Sequence, residues 1–384
     1  MTSIQYIDTP QQLEELCQKI SKASWLALDT EFLREKTYYP KFCLLQIATP
    51  DWVACIDPIT LDDLTPLFDA IYNPDIIKVF HSCRQDLEIF YQLTGKIPTP
   101  LFDTQIAAPL LGIQENPGYA MLVSTFLNIN LNKAYTRTDW SLRPLSPEQL
   151  QYAADDVIYL CQIYDIMRAK LTELQRFDWL KGDFEFLKNP DIYEVKPENA
   201  WLKIKGKNKL TGKQLSIIQH LTKWREQQAQ SEDKPKNWLV RDDLLIELAK
   251  LQPTTVKELA NVRNINDRLV HRHGNTLCQL IIEAKNNTVS PLKEDGKGVK
   301  KTQQQEAILD VLTAIVRVRA EENLINPVIL APRKELEKLL FNDQNCQLLT
   351  GWRFGLIGCE LEALLSGHYS LKLNRENISI DNIL

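Results

Sequence analysis

The chain has 384 residues, 44% hydrophobic and 25% charged, with a net charge of −5. That length suits two or three domains, and the composition is that of a soluble globular protein. No run of about 18 apolar residues occurs, which argues against a transmembrane helix. The opening MTSIQYIDTPQQLEE lacks the basic-then-apolar pattern of an export signal, so a cytoplasmic location is expected. The eight cysteines, at 17, 43, 55, 83, 161, 278, 346 and 359, form no C-x-x-C pair. They read as reduced, packed thiols and not as a zinc site. The negative net charge disfavours whole-surface binding of nucleic acid, so any grip on phosphates must come from local clusters of Lys and Arg.

In chain order, the first half reads as α/β. Trp25–Phe32 is a strand candidate, followed by Cys43–Ala48 and Trp52–Asp57, the last two separated by the turn residues Thr49-Pro50-Asp51. Such short connections predict an antiparallel meander. Ile76–Phe80 is a further apolar run, and a helical pattern follows from Arg84. Ser146-Pro147 opens a long helix to about Leu171: Ser146 caps, Pro147 takes the first helical position and Gln149 completes a capping box. From about residue 210 helical periodicity takes over. Here Pro235, Arg241, Leu244 and Leu248 recur 92 residues later as Pro327, Arg333, Leu336 and Leu340, and Leu259 and Arg263 recur at an offset of 90 as Leu349 and Arg353. The expected organisation is a first domain over 1–197, a helical module over 205–287, a polar linker over 288–304 and a second helical module over 305–373.

Within Leu28-Asp29-Thr30-Glu31, strand alternation points Asp29 and Glu31 to one face. Two carboxylates side by side in an apolar strand repel, and a divalent cation is the economical compensation; alone, the pair also reads as the polar face of a strand. Asp86 falls in the first turn of the helix after Ile76–Phe80, where the helix dipole favours any acid. Tyr152 and Asp156, four apart, share one helix face. Relative to the stripe Leu150, Ala153, Ala154, Val157, Leu160, Cys161 and Tyr164, Asp156 lies about 100° from the centre and Asp155 about 160°. Asp156 is therefore the one at the edge of the packed face.

Taken together, Asp-x-Glu on a first strand, an Asp opening a helix some 55 residues on, and a late Tyr-x-x-x-Asp resemble the DEDD exonucleases, in the subgroup marked by Tyr. The segments ALDTEFLREKTYYPKFCLLQIAT, KVFHSCRQDLEIF, LFDTQIAAPLLG and LQYAADDVIYL are similar to the ribonuclease D family, in order, over the first 195 residues. The resemblance implies an α/β ribonuclease-H-like exonuclease domain, with three antiparallel strands plus parallel ones in a mixed sheet flanked by helices. The repeated modules resemble all-α HRDC domains, the helical units shared by RecQ-type helicases and ribonuclease D, at Val240-Arg241-Asp242-Asp243-Leu244 and Gly351-Trp352-Arg353. The implied activity is 3′→5′ exoribonuclease cleavage that releases nucleoside 5′-monophosphates. Two cations about 4 Å apart supply a nucleophile and stabilise the leaving oxygen. By the resemblance, Asp29 bridges them, Glu31 and Asp156 hold the one that activates water, Asp86 supports the second, and Tyr152 orients the attacking water. A phenol of pKa near 10 is a poor base at pH 7. All-oxygen ligands suit Mg²⁺ or Mn²⁺ better than Zn²⁺.

Arg34, Lys36, Tyr38 and Tyr39 follow the first strand, placed either to contact an RNA backbone and stack a base or to form a solvated loop. Lys203, Lys205, Lys207, Lys209 and Lys213 open the first module, as a phosphate track or as a solvated face. His81 reads as a satisfied polar residue at a strand end, not as a ligand. The expected partner is RNA with a free 3′ end, by resemblance a transfer-RNA precursor or other small structured RNA, and the expected state is a monomer. Two rivals stand beside this reading. A DNA exonuclease of the same superfamily is opposed by the HRDC pair, and a non-catalytic RNA-binding protein on this fold is opposed by the intact set Asp29, Glu31, Asp86, Tyr152 and Asp156.

Overall fold

The computed structural model describes residues 3–131, 138–286 and 301–383. Strands β1 (Ile4–Ile7), β2 (Trp25–Leu33), β3 (Lys41–Ala48), β4 (Val53–Ile56), β5 (Ile77–Phe80) and β6 (Leu101–Asp103) form one mixed sheet in the order β1-β4-β3-β2-β5-β6. β2, β3 and β4 are the antiparallel meander that their short connections predict. β1 joins β4, β5 joins β2 and β6 joins β5, all parallel. Edge strands β1 and β6 were not expected, because runs of three or four residues carry no readable period.

Alternation along β2 divides the core. Leu26 and Leu28 face a layer made of α1 (Pro10–Ile20), α2 (Thr65–Ile71) and α3 (Arg84–Thr94). Trp25 and Ala27 face the other, formed by α4 (Thr104–Ala107), α5 (Tyr119–Leu127) and α6 (Pro147–Glu173). The start of α6 follows its sequence: Ser146 Oγ accepts from Gln149 N (3.2 Å), and Gln149 Oε1 accepts from Ser146 N (2.7 Å). Its small residues Ala153 and Ala154 are buried, allowing the helix close to β2, β3 and β4.

A buried ion pair secures the loop before α6. Asp57, directly after β4, has no exposed surface. Arg143 meets it with Nε (2.6 Å) and Nη2 (2.7 Å) and also donates to the carbonyls of Cys43 (2.6 Å) and Trp140 (2.8 Å). The Tyr6 hydroxyl adds a bond of 2.5 Å. Burial alone pushes the Asp57 carboxyl up, but the bonds from Arg143 and Tyr6 hold it below the usual carboxylate range. Trp140, fixed in this way, lies against Tyr152 with ring centroids 6.2 Å apart.

After α7 (Lys181–Leu187), 3₁₀ turns lead into the first module: α8 (Gly212–Ser231), α9 (Lys236–Leu239), α10 (Asp242–Leu251), α11 (Val256–Ala260) and α12 (Asp267–Asn286). The second module opens with the same pattern of one long, one single-turn and one medium helix: α13 (Gln303–Glu322), α14 (Pro327–Leu330) and α15 (Arg333–Leu340). It continues through α16 (Gly351–Arg353) and a π turn into α17 (Cys359–Leu365). Of the expected linker over 288–304, residues up to 300 lie outside the described residues. The last few belong to the second module, because Thr302 caps α13 through Gln305 N (3.2 Å). The helical half also ends in an unexpected antiparallel hairpin, β7 (Tyr369–Leu373) and β8 (Ile378–Asn382), packed on this module through Leu371, Ile378 and Ile380.

Both modules touch the first domain. Trp179 stacks on Trp352 with centroids 4.5 Å apart, and Arg176 donates to the carbonyls of Leu110 (2.7 Å), Leu324 (3.3 Å) and Asn323. Tyr38 reaches the first module, as described below. All eight cysteines are free and six are buried. No helix among the described residues is long and apolar enough to cross a membrane.

Removing Arg143 would strand the Asp57 charge in the core. Arg143→Met should cost about 3 kcal/mol of stability at pH 7, read from urea unfolding. Because the folded Asp57 carboxyl titrates below its unfolded value, the pair stabilises above the ordinary carboxylate range. Its contribution is lost as pH falls through the folded pKa, so wild type and variant should converge in acid. Equal midpoints at pH 7 would contradict this role.

Candidate active site

β5 pairs with β2 only at Trp25, Leu26 and Ala27. From Asp29 onward β2 therefore has β3 on one side and, on the other, the space beyond the carboxyl end of β5. Open α/β sheets hold ligands in such crevices. Asp29 pairs with Gln46 and Glu31 with Leu44, before a bulge between Glu31 and Phe32. Both acids continue the face of Trp25 and Ala27, toward α6. Asp156 of α6 meets them there: one carboxylate oxygen from each of Asp29, Glu31 and Asp156 lies within 4.8 Å of the others, the one such group among the described residues.

Asp86 stands apart from these three. It occupies the first turn of α3, is buried, and accepts from Thr30 Oγ1 at 2.5 Å. Thr30 points to the opposite face of β2, so Asp86 approaches the acids from the other layer. The turn that aims α3 is held by Asp103 at the end of β6. Its oxygens accept from Ser82 N (3.0 Å) and Cys83 N (2.8 Å), and from Gln105 N (2.7 Å) as the cap of α4. Ser82 has φ 60°, a left-handed conformation costly for any residue but glycine. Asp103 was not anticipated, although an Asp at a strand end before a helix is a capping signal.

Burial, then the charge of Asp156, pushes the Asp29 carboxyl well above its usual range. Burial raises Glu31, with Asp29, Asp156 and Asp86 adding to it. Burial and then Asp155 raise Asp156. Burial and Asp29 raise Asp86 against the opposing bond from Thr30. Three carboxyls that resist ionisation in one place, with a fourth on the other face of the strand, offer only hard oxygen donors and fit a divalent cation that takes oxygen ligands.

Neighbouring groups brace the site. Asp155 lies outside the group of three and accepts from Gln151 Nε2 (2.8 Å). The part-buried Tyr119 hydroxyl donates to the backbone carbonyls of Asp156 and of Asp155 (3.2 Å), tying α5 to the turn of α6 that carries Asp156. No motif announced Tyr119. His81 packs on the Tyr119 ring (5.3 Å) with Nδ1 3.0 Å from Thr104 Oγ1. Burial lowers its pKa although Asp103 opposes the shift, which favours the neutral, satisfied imidazole expected for it. Tyr152 is half-buried beside Trp140.

The loop after β2 departs from expectation. Arg34 Nη2 pairs with Glu88 (2.5 Å). The Tyr38 hydroxyl donates to Glu226 Oε1 (2.6 Å), and the backbone N–H groups of Tyr38 and Tyr39 both bond Asp233 Oδ1 (3.0 Å). Tyr38 is thus a contact to α8 and the turn after it, and its hydroxyl is committed to protein; it is not an open platform for a base. Tyr39 stays 41% exposed, edge-on to Tyr38, and Lys36 is exposed. Lys203, Lys205, Lys209 and Lys213 are exposed, whereas Lys207 Nζ donates to the Leu202 carbonyl (2.6 Å).

Residues 4–172 match the family described as 3′-5′ exonuclease, and residues 214–281 match the HRDC domain. The chain is 35% identical to ribonuclease D of Bartonella henselae over 373 residues, 96% of this chain and 91% of that protein. It is 36% identical to ribonuclease D of Zymomonas mobilis over 377 residues, 96% of this chain and 95% of that protein. It is similar to the crystal structure of Escherichia coli RNase D, described as an exoribonuclease involved in structured RNA processing, with a TM-score of 0.78 at 30% identity, covering 96% of this chain and 100% of that one. The catalytic core of RRP6 from Trypanosoma brucei shares the fold, with a TM-score of 0.59 at 24% identity over 74% of this chain and 80% of that one. Matched over nearly its whole length, with acids gathered where the exonuclease match lies, the chain belongs to the ribonuclease D family and is a 3′→5′ exoribonuclease.

Proposed function

We propose that the enzyme shortens RNA from its free 3′ end at the acids around β2, as a member of the Tyr-marked DEDD subgroup, with Asp29, Glu31, Asp86 and Asp156 holding two divalent cations, Mg²⁺ or Mn²⁺. The observation that carries this reading is the approach of Asp29, Glu31 and Asp156 to within 4.8 Å from a strand and a helix. When bound, such cations activate water and neutralise charge building on the phosphate and leaving oxygen. The protein holds the geometry. β3 fixes the register of Asp29 and Glu31, Tyr119 steadies the backbone at Asp156, and Thr30 holds Asp86. Tyr152 shares the face of Asp156 one turn away and orients the attacking water by its phenol.

For the rest of the chain, we read an exonuclease domain over 1–197 and HRDC-like modules over 205–287 and 305–373. The 92-residue repeat and the shared helix order of α8–α10 and α13–α15 support two modules. They grip the body of a folded RNA, transfer-RNA precursors being the substrate class in view, and leave its 3′ end to the acids. The enzyme acts as a cytoplasmic monomer. Exposed Lys203, Lys205, Lys209 and Lys213 are the phosphate-binding groups nearest to hand.

Asp29→Asn keeps shape and removes a charged ligand. It should fold normally yet lose at least about 100-fold of the metal-dependent release of nucleoside 5′-monophosphates from 3′-hydroxyl RNA. Release within a few-fold of wild type would remove Asp29 from the site. The two neighbouring acids on α6 should separate: Asp156→Asn should abolish turnover, and Asp155→Asn should leave kcat within about two- or three-fold, since it frees Gln151 and removes one neighbouring charge from Asp156 without removing a member of the group. Comparable losses would mean that the helix face is misassigned. Changing Lys203, Lys205, Lys209 and Lys213 to Ala together should flatten the salt dependence of binding to a folded RNA by about 0.7–0.9 log unit for each lysine–phosphate pair removed, with kcat on a short single strand unchanged. An unaltered slope would make these lysines a solvated face.

A further inference from the structure

Gln46 of β3 lies directly across from Asp29, and opposite residues of an antiparallel pair share one face of the sheet. Its other cross-strand neighbour is the buried Cys55 of β4, and α6 covers both strands. Gln46 has no exposed surface, and neither Nε2 nor Oε1 has a hydrogen-bond partner among the described residues. Burying such an amide unpaired costs about 1–3 kcal/mol per group, whereas Met would fill nearly the same volume without that cost. Buried polar groups in folded proteins are nearly always paired, so a fully buried orphan demands a reason. Across the strand stands the Asp29 carboxyl, which accepts hydrogen bonds when ionised.

We infer that Gln46 is a positioning residue for the cation site, its Nε2 donating to the Asp29 carboxylate in the cation-loaded enzyme and fixing which oxygens Asp29 turns toward Glu31 and Asp156. Opposite Cβ atoms lie about 4.5–5.5 Å apart, within reach of a Gln side chain. The inference rests on Asp29 being a ligand. Partners of this kind orient ligating carboxylates, and their loss typically costs about 10–100-fold in metal affinity.

The test uses the full chain, Mn²⁺ alone by titration calorimetry, and thermal unfolding without metal. Gln46→Met should melt at or above the wild-type temperature, because the unpaired amide is gone, and yet bind Mn²⁺ about 10–100-fold more weakly. A Gln46 that is only a stranded core amide predicts the same gain in stability with wild-type Mn²⁺ affinity, and that result overturns the inference. Should the Met variant not fold, Gln46→Asn, which keeps the amide and withdraws it by one methylene, carries the same expectation and the same overturning result. Asp29→Asn in parallel separates the two levels. If it too binds Mn²⁺ like wild type, the ligand assignment fails; if it does not while Gln46→Met does, only the role of Gln46 fails.

Discussion

The constraint on which this structure turns is the mutual repulsion of acids taken out of water at the end of one strand. Asp29, Glu31 and Asp156 sit close enough to raise one another, and Asp86 feels Asp29 from the layer below. Left to themselves, such side chains would rotate apart or draw in solvent. They are held by parts with little freedom: a strand paired on one flank by β3, a helix whose backbone is tied by Tyr119, and a helix entry fixed by Asp103 at the expense of a left-handed Ser82. The two apolar layers on the faces of the sheet supply the stability that offsets this local repulsion.

The same economy governs the surroundings. Charges needed for architecture are paired inside: Asp57 with Arg143, which thereby seats Trp140 against Tyr152. Arg176 instead spends its guanidinium on backbone carbonyls of both the first domain and the second module. At the end of β2, by contrast, acids gather without a basic side chain among the causes that shift them.

Much of this was legible in the sequence. Long periodic segments announced themselves: the meander, the capping box at Ser146 and the stripe of α6, whose angular arithmetic distinguished Asp156 from Asp155. The 92-residue repeat has its counterpart in the shared helix order of α8–α10 and α13–α15. What escaped depends on partners remote in sequence. β1 and β6 are defined by the neighbours they join, and the β7–β8 hairpin by the module it covers. Asp103 and Tyr119 serve the site through backbone groups that no side-chain motif records. Tyr38 reads locally as an exposed aromatic beside basic residues; its partner Glu226 is 188 positions away, and no local pattern encodes that bond.

That bond bears on how the enzyme comes into being. Domains fold in order as a chain is synthesised, the N-terminal one first. The four acids have all been made once α6 has emerged, yet the loop leaving β2 finds its partners in the next module, Glu226 and Asp233, only when that module follows. A nascent chain therefore carries its carboxylates beside a loop held only within the first domain, by the Arg34–Glu88 pair, for the time needed to make some sixty further residues after α6. During that interval the unfinished enzyme sits next to the messenger and ribosomal RNA that produce it. The late closure places one step in building this nuclease beyond the first domain, in the segment that also carries its HRDC domain.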